Sequence, residues 1–243
     1  MRERTMSQVE MNKEAIARNR KRIFNIDADV MLNKSLVYQS RAMVEENRLM
    51  ILSNYSAAFM GNRQLANHNT EEIFENRRAI LANAEPADDV QDNYIQAQIN
   101  KASLDYLAHR SELNSAVLEV SEIMADINAQ LIAVNKKIME ANQGIVEFNS
   151  EQIAINSELL DGALKPSEAT SGDNAVIIAS NQDAMKDIEK NVKTNRTKME
   201  GLMTTSEDNS SNLMKNKLEI SERRASIMAN REIISKNKSR ITG

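Results

Sequence analysis

The chain lacks cysteine and has few aromatic residues, prolines and glycines. Without cysteine it can form neither a disulfide framework nor a thiolate metal site. Aromatic residues make up 3% of its 243 residues, and it has two prolines, six glycines and no tryptophan. A compact globular protein of this length usually carries more aromatic side chains. The composition therefore favours long helices, whose thin core can be filled by aliphatic residues and methionine.

The sequence also lacks the patterns of membrane-spanning, secreted and catalytic proteins. No window approaches the roughly 18 consecutive apolar residues of a transmembrane helix, and Met1 to Lys13 has no apolar signal region. Glycine-rich phosphate loops and hydrolase or metalloprotease motifs are missing. The two histidines, His68 and His109, have no ligand partners at a suitable spacing. We expect no enzyme activity, cofactor or metal; the compartment is left open, with the cytoplasm favoured over secretion.

What the chain does have is asparagine at seven-residue intervals. Of its 28 asparagines, 24 fall on such registers, and an apolar residue usually follows four positions later. In a heptad with the apolar residue at position a, the asparagine lies at d. A period of seven is a property of helices. We therefore predict an all-α protein of three very long helices, about 70–78 residues each, in an extended, coiled-coil-like, up-down-up bundle.

The breaks in the pattern set the boundaries of these helices. We predict that residues 1–84 contain the first helix, which begins near Ser7. Residues 85–161 contain a turn and the second helix. Residues 162–243 contain a loop and the third helix, which begins at about residue 174. Pro86 predicts the first turn, with Asp88 or Asp89 as the next helix cap. Thr204 to Ser211 is the weakest helical stretch and is expected to fray or bulge. The three segments are predicted to form one elongated domain.

One register contains an extra residue. Asn54 and Asn62 are eight residues apart, with Gly61 close to the insertion. An extra residue rotates the helical stripe by roughly 100°. The helix must absorb this rotation with a π-bulge or a bend.

Buried asparagines must find hydrogen-bond partners. An unsatisfied amide in a core costs about 1–3 kcal/mol, so these side chains must bond to one another, to backbone carbonyls, or to trapped water or ions. Aligning the helices as a hairpin gives all-asparagine layers such as 83/93/237 and 62/114/216; the alternative is layers between parallel helices of different chains. The predicted core ladder consists of Asn19, Asn47, Asn62, Asn76, Asn83, Asn93, Asn100, Asn114, Asn128, Asn135, Asn142, Asn149, Asn156, Asn174, Asn181, Asn195, Asn216, Asn230 and Asn237.

The repeated phrase, Val or Ile followed three residues later by Asn, resembles that of trimeric autotransporter stalks. The resemblance implies a core in which asparagine at d holds ions. It covers only this short phrase, and the threonine that commonly follows in those stalks is present here only at Asn69-Thr70. The two predicted turns also distinguish this chain from a continuous stalk.

These patterns predict a non-enzymatic structural protein. We expect a self-associating coiled-coil rod, a filament subunit or a scaffold, present as a homo-oligomer or filament, with other protein partners open. One alternative is a membrane-surface module similar to a three-helix BAR domain, for which the basic cluster Arg18, Arg20, Lys21 and Arg22 is the candidate contact. A less favoured alternative is a helical secreted effector or toxin. Neither end is basic enough to predict nucleic-acid binding.

Overall fold

The computed structural model describes residues 7–242, and these residues form helices without strands. Residues 1–6 and residue 243, which belong to the predicted segments 1–84 and 162–243, lie outside that range. The helices are α1 (Gln8–Tyr55), α2 (Arg63–Ala82), α3 (Asp89–Glu158) and α4 (Ser171–Thr242). Short π-helical turns cover Ser56–Asn62 and Leu159–Ala163, and a 3₁₀ turn covers Pro166–Glu168. The prediction of an all-α chain with three long helices is confirmed. The first long helix consists of α1, the π-turn at Ser56–Asn62 and α2.

Side-chain caps start the first two long helices where the sequence placed them. The Ser7 backbone N–H donates to the Glu10 carboxylate at 2.9 Å, and the Glu10 N–H donates to Ser7 Oγ at 3.3 Å. Asp88 accepts from the Gln91 N–H at 2.8 Å. Such caps satisfy N–H groups that have no partner within the helix.

The third long helix begins three residues earlier than predicted. Gly162, at φ 92°, ends the preceding π-turn. Thr170 then acts as the cap: its Oγ1 accepts from the Asp173 N–H at 3.2 Å and lies 2.6 Å from the Asp173 carboxylate. This reciprocal pair starts α4 at Ser171, inside the stretch predicted to be loop.

The stretch from Thr204 to Ser211 is regular α-helix, which corrects the prediction that it frays or bulges. Its hydroxyls bond back to the helix four residues earlier. Thr204 donates to the Glu200 carbonyl at 3.2 Å, Thr205 to Gly201 at 3.0 Å and Ser206 to Leu202 at 2.8 Å. These bonds satisfy the polar side chains within the helix, so they do not compete for its backbone.

The extra residue of the first helix is absorbed by a π-helical turn at Ser56–Asn62. A π-turn accommodates one more residue than an α-turn without ending the helix. The π-bulge, one of the two predicted solutions, is therefore the one adopted.

Contacts along the chain define two units. One contains residues 1–60 and 164–222, and the other contains residues 61–163 and 223–243. In the first unit, α1 lies parallel to the first part of α4, as its hydrogen bonds show below. In the second unit, α2 lies parallel to the last part of α4 and antiparallel to the start of α3. The predicted up-down-up order of directions is thus present in the second unit.

The antiparallel contact between α2 and α3 is built from aromatic and charged side chains. The rings of Phe74 and Tyr106 meet edge to face at 5.2 Å between centroids. Arg77 lies 3.4 Å from the Asp105 carboxylate, and Arg110 lies 3.7 Å from Glu71. The residue number rises along α3 as it falls along α2, which fixes the antiparallel direction.

Candidate assembly interface: the asparagine seam and the uncovered stripes

Asparagines of α1 and α2 donate hydrogen bonds to backbone carbonyls of α4. In the first unit each bond reaches the residue 159 positions later in the chain. We call this row the asparagine seam. Its bonds in that unit are Asn12 to Ser171 (2.9 Å), Asn19 to Ile178 (3.3 Å), Asn33 to Val192 (2.8 Å), Asn47 to Ser206 (2.7 Å) and Asn54 to Leu213 (2.9 Å).

The same arrangement is present in the second unit. Asn69 donates to the Ile227 carbonyl at 2.8 Å, and Asn76 donates to Ile234 at 3.2 Å. The separation here is 158 residues, because the eight-residue step in the first helix faces an uninterrupted seven-residue repeat in α4. A constant separation along two helices means that they run in the same direction.

The seam satisfies the N–H groups of its amides without bringing asparagines together. A helix carbonyl has two lone pairs and uses one for the backbone N–H four residues on, so it can accept a second bond. The asparagines at positions 12, 19, 33, 47, 62 and 69 are 5–8% exposed. Backbone carbonyls, one of the three predicted partners, accept from the buried amide N–H groups of Asn12, Asn19, Asn33, Asn47 and Asn69. The amide oxygen of Asn69 is buried without a hydrogen-bond partner among the described residues.

Most asparagines of the predicted ladder are exposed in the single chain, so only part of that ladder lies in the core that one chain forms by itself. Asn19, Asn47 and Asn62 are buried and Asn76 is half-buried. In α4, the parallel offset places the a-type residues, such as Ile178, in the seam and turns the asparagines away from it. Among the described residues, Asn62 is buried whereas Asn114 and Asn216 are exposed, so the single chain does not enclose this all-asparagine layer. The exposed members are Asn83, Asn93, Asn100, Asn114, Asn128, Asn135, Asn142, Asn149, Asn156, Asn174, Asn181, Asn195, Asn216, Asn230 and Asn237.

Two positions of the seam carry another residue on α1, and there α4 carries methionine. Ile26 and Ser40 replace asparagine, and the residues 159 positions later are Met185 and Met199. All four are buried. Ser40 Oγ is buried without a hydrogen-bond partner among the described residues. Methionine is long and flexible, so it suits layers in which the side chain opposite differs in shape from asparagine.

Two ion pairs flank the seam in the first unit. Arg22 binds Glu189 through two bonds of 2.5 and 2.7 Å, and Arg196 lies 2.9 Å from Asp29. The two pairs are seven residues apart with their charges exchanged between the helices. The hydrogen bonds from Arg22 are the largest cause that lowers the pKa of the Glu189 carboxyl, and they outweigh the opposing effect of burial; the charges of Arg22 and Lys193 lower the pKa further. These ion pairs cannot be predicted from the sequence alone, because they depend on the offset between α1 and α4.

A row of apolar residues on α1 is uncovered. Beside the seam lie the a-type residues that the heptad assigned to the core, and they are 41–52% exposed. We call them the α1 stripe: Ile16, Ile23, Val30, Val37, Val44 and Ile51.

A longer apolar row is uncovered on α3. Every residue from Ala125 to Ala163 is exposed. This part of the chain contains Ile138 at 53%, Ile145 at 58% and Phe148 at 59% exposure. Within the described residues, this row and the α1 stripe are both left without a covering helix.

Two basic side chains of the described residues approach the carboxylate of Glu72. His68 lies 3.7 Å from Glu72, which also lies 3.8 Å from Lys238. No group of three metal-ligating side chains occurs within residues 7–242. Across the same residues, none of the helices has the length and apolarity needed to cross a bilayer.

In the basic cluster near residue 20, two side chains have carboxylate partners. Arg22 binds Glu189, as described above, and Arg18 lies 3.4 Å from Glu14.

Comparison with protein families, with curated proteins and with solved structures gave no match.

Proposed function

We propose that this chain is a non-enzymatic structural subunit that associates with copies of itself through its helices. It would act as a coiled-coil rod, a filament subunit or a scaffold. The observation that carries the proposal is the heptad-spaced apolar surface left open on α1 and α3. Rows of half-exposed isoleucine, valine and leucine at this spacing are the pattern that a partner helix covers.

The amount of unburied surface supports association. The chain exposes 19003 Å², whereas a compact monomer of its mass exposes about 10,900 Å². Contiguous apolar patches of more than a few hundred Å² on a protein surface mark interaction sites. Covering such surface is favourable by about 25 cal/mol for each Å² of apolar area.

The seam suits this role because it restricts how helices can slide. Moving α1 along α4 by anything but a multiple of seven residues would place amides against apolar side chains and leave them unsatisfied. A polar core position lowers stability but fixes register. A subunit whose own helices are locked in this way presents its outer stripes at fixed positions, as an ordered assembly requires.

Sedimentation and electron microscopy test the proposal. The purified protein is expected to sediment as a dimer or a larger species at micromolar concentration, and negative-stain images are expected to show particles of uniform width. The mass is expected to rise with concentration, because association follows mass action. A monomer at every concentration up to about 1 mM, where interfaces with affinities in the usual range are saturated, would overturn the proposal.

The membrane-surface alternative has its own measurement. Because Arg22 and Arg18 have carboxylate partners, we do not favour their cluster as a lipid contact. Co-sedimentation with anionic vesicles separates the two functions. Binding that weakens as salt is raised from 50 to 500 mM would support a membrane module, and it would count against a role in self-assembly alone.

A further inference from the structure

The uncovered row on α3 has the spacing of a coiled-coil seam. Its positions alternate by three and four residues, and they lie just before the asparagines and just before the apolar residues of the asparagine repeat: 127, 131, 134, 138, 141, 145, 148, 152, 155 and 159. We call this set the α3 stripe. Its large apolar members are 37–59% exposed, and Ala141 and Gln152 complete it: Ile127, Leu131, Val134, Ile138, Ala141, Ile145, Phe148, Gln152, Ile155 and Leu159.

The α3 stripe continues an existing interface. The same positions in earlier heptads of α3 include Tyr106, which packs against Phe74 of α2, and Leu113 and Val120, which are half-buried. From Ile127 onward the row is exposed without any change in spacing. A helix face that begins as an intramolecular contact and runs on uncovered at one spacing indicates a second partner helix.

We propose that this partner is the α3 stripe of a second copy, lying antiparallel about a two-fold axis near Gln143. The inference rests on the proposed self-association and names its interface. Reversing one helix about this point places Ile138 opposite Phe148 of the second copy, Ala141 opposite Ile145, and Leu131 opposite Ile155. Phe148 and Ile145, the larger members of two of these layers, thus face the smaller Ile138 and Ala141, and Leu131 and Ile155 are of equal size, which suits a close-packed seam.

A parallel pair would fit less well. It would place Phe148 opposite Phe148 of the second copy, Ala141 opposite Ala141, and Gln152 opposite Gln152. One layer would be overfilled and a neighbouring layer would leave a gap. Overpacking and cavities each cost stability.

The charges beside the α3 stripe also favour the antiparallel pair. Lys137 and Glu151 lie on the same edge of the helix, and the proposed register brings Lys137 beside Glu151 of the second copy, twice in each dimer. Lys137 is 84% exposed and lies 3.6 Å from Glu140 of its own helix. Exposed pairs add little affinity, but they select orientation. Glu140 and Glu147 lie at positions that point away from the seam.

The asparagines form the other edge of the α3 stripe. The same register brings Asn142 beside Asn142 of the second copy, and Asn135 beside Asn149. An amide both donates and accepts, so two facing amides can satisfy each other. The five exposed asparagines between residues 128 and 156 thus acquire a partner that the single chain does not supply.

The size of the contact is sufficient. From residue 127 to residue 159 the helix extends about 48 Å, and a helix is about 10 Å wide. The two facing footprints together amount to about 1,000 Å², which is the minimum for a specific interface.

Two neighbouring substitutions test the interface in the full-length protein. Ile145→Asp places a carboxylate in the α3 stripe, whereas Val146→Asp places one beside it, and the two side chains are 58% and 57% exposed. Because each dimer loses two buried side chains, we expect Ile145→Asp to raise the dimer dissociation constant about 100-fold or more. Val146→Asp is expected to change it by less than about 5-fold. Analytical ultracentrifugation gives the constants, and circular dichroism checks that both variants keep the helix content of the parent.

The outcomes separate this inference from the proposed function. A parent protein that is monomeric overturns both. A parent that self-associates, with Ile145→Asp no weaker than Val146→Asp, overturns the α3 pairing and leaves self-assembly through another surface.

Single cysteines test the direction, since the chain has none of its own. In the antiparallel register N142C is expected to form a disulfide-linked dimer on mild oxidation. N128C is expected to link with N156C when the two variants are mixed, and neither is expected to link with itself. K136C, on the outer face of the helix, is the control and is expected to stay monomeric on a non-reducing gel. N128C and N156C each linking with itself would overturn the antiparallel arrangement.

Discussion

A single hydrogen bond, from an asparagine amide to a helix carbonyl, explains how this chain buries a row of polar side chains. Each donor needs one acceptor, and the neighbouring helix offers a carbonyl with a free lone pair at every turn. The bonds are 2.7–3.3 Å long from Asn12 to Asn76. At the scale of the residue, the polar core therefore depends on the backbone of α4 and not on a matching side chain.

Replacing one seam asparagine tests that dependence. Asn47 is 7% exposed and donates to the Ser206 carbonyl at 2.7 Å. Asn47→Ala removes this bond and leaves a small cavity, so we expect a loss of about 1–2 kcal/mol in the free energy of unfolding. Asn25→Ala, at an exposed position of the same helix, is the matched control and is expected to stay within about 0.5 kcal/mol. Urea unfolding at one fixed protein concentration measures both; equal effects would contradict the seam.

The Arg22–Glu189 pair makes stability depend on pH. Because the hydrogen bonds from Arg22 lower the pKa of Glu189 below 4.5 in the folded chain, the ionised carboxylate stabilises the fold above its unfolded pKa. This stabilisation is lost as the pH falls through the folded pKa. We expect Glu189→Gln to lower the melting temperature at pH 7 and to differ little from the parent at pH 3.

The control for this pair is another glutamate of the same helix. Glu207 is exposed, and Glu207→Gln is expected to follow the parent across the whole range. Thermal melts at pH 3, 4, 5 and 7 give the comparison. A deficit in Glu189→Gln that is independent of pH would mean that the pair does not carry charge-dependent stability.

At the scale of the helix, the sequence predicted where the helices begin and end better than it predicted which face of each helix packs. The seven-residue repeat, the cap at Ser7, the turn at Pro86 and the absorbed residue near Gly61 were all readable, because each depends on local chemistry. Which face of each helix packs was not readable, since identical heptads align equally well at every multiple of seven. The exposed Asn181 and the buried Asn19 occur in the same phrase and differ only in the side turned to the partner.

Propensity alone also misjudged one stretch. The Thr, Ser, Asp and Asn content near Thr204 argued for fraying, but three hydroxyls there bond back to the preceding turn. Ser206 is 3% exposed, and its carbonyl accepts from Asn47. Tertiary packing of this kind outweighs the small differences in helix propensity.

Deleting the extra residue tests the role of the π-turn. Removing Ala58 restores a seven-residue step between Asn54 and Asn62, and the π-turn is expected to become regular α-helix. We expect the melting temperature to stay within a few degrees of the parent or to rise, because the seam keeps its register. Removing Ala28 from the uninterrupted part of α1 instead rotates one side of the seam by about 100°. That variant is expected to melt at least about 10 °C lower, since several buried amides lose their acceptors. Circular dichroism measures both, and the reverse order would contradict a role for the π-turn in preserving register.

At the scale of the whole molecule, the number of different outer stripes decides what kind of assembly can form. A two-fold contact through the α3 stripe uses the same surface on both copies and therefore closes at a dimer. The α1 stripe is a second, chemically separate surface. If the α1 stripe also pairs with another copy, each dimer has two α1 stripes that can bind further dimers, and the assembly can grow beyond the dimer.

This reasoning predicts that the two stripes have separable effects on assembly. Val37, at 51% exposure, lies in the middle of the α1 stripe. We expect Val37→Asp to remove species larger than the dimer and to leave the dimer intact, whereas Ile145→Asp removes the dimer-forming contact. Ser35→Asp, at an exposed position two residues away, adds the same charge outside the stripe and is expected to assemble as the parent does. Mass photometry across a concentration series resolves the species. If Val37→Asp and Ser35→Asp gave the same distribution, the α1 stripe would have no part in assembly, and the α3 contact alone would set the size of the particle.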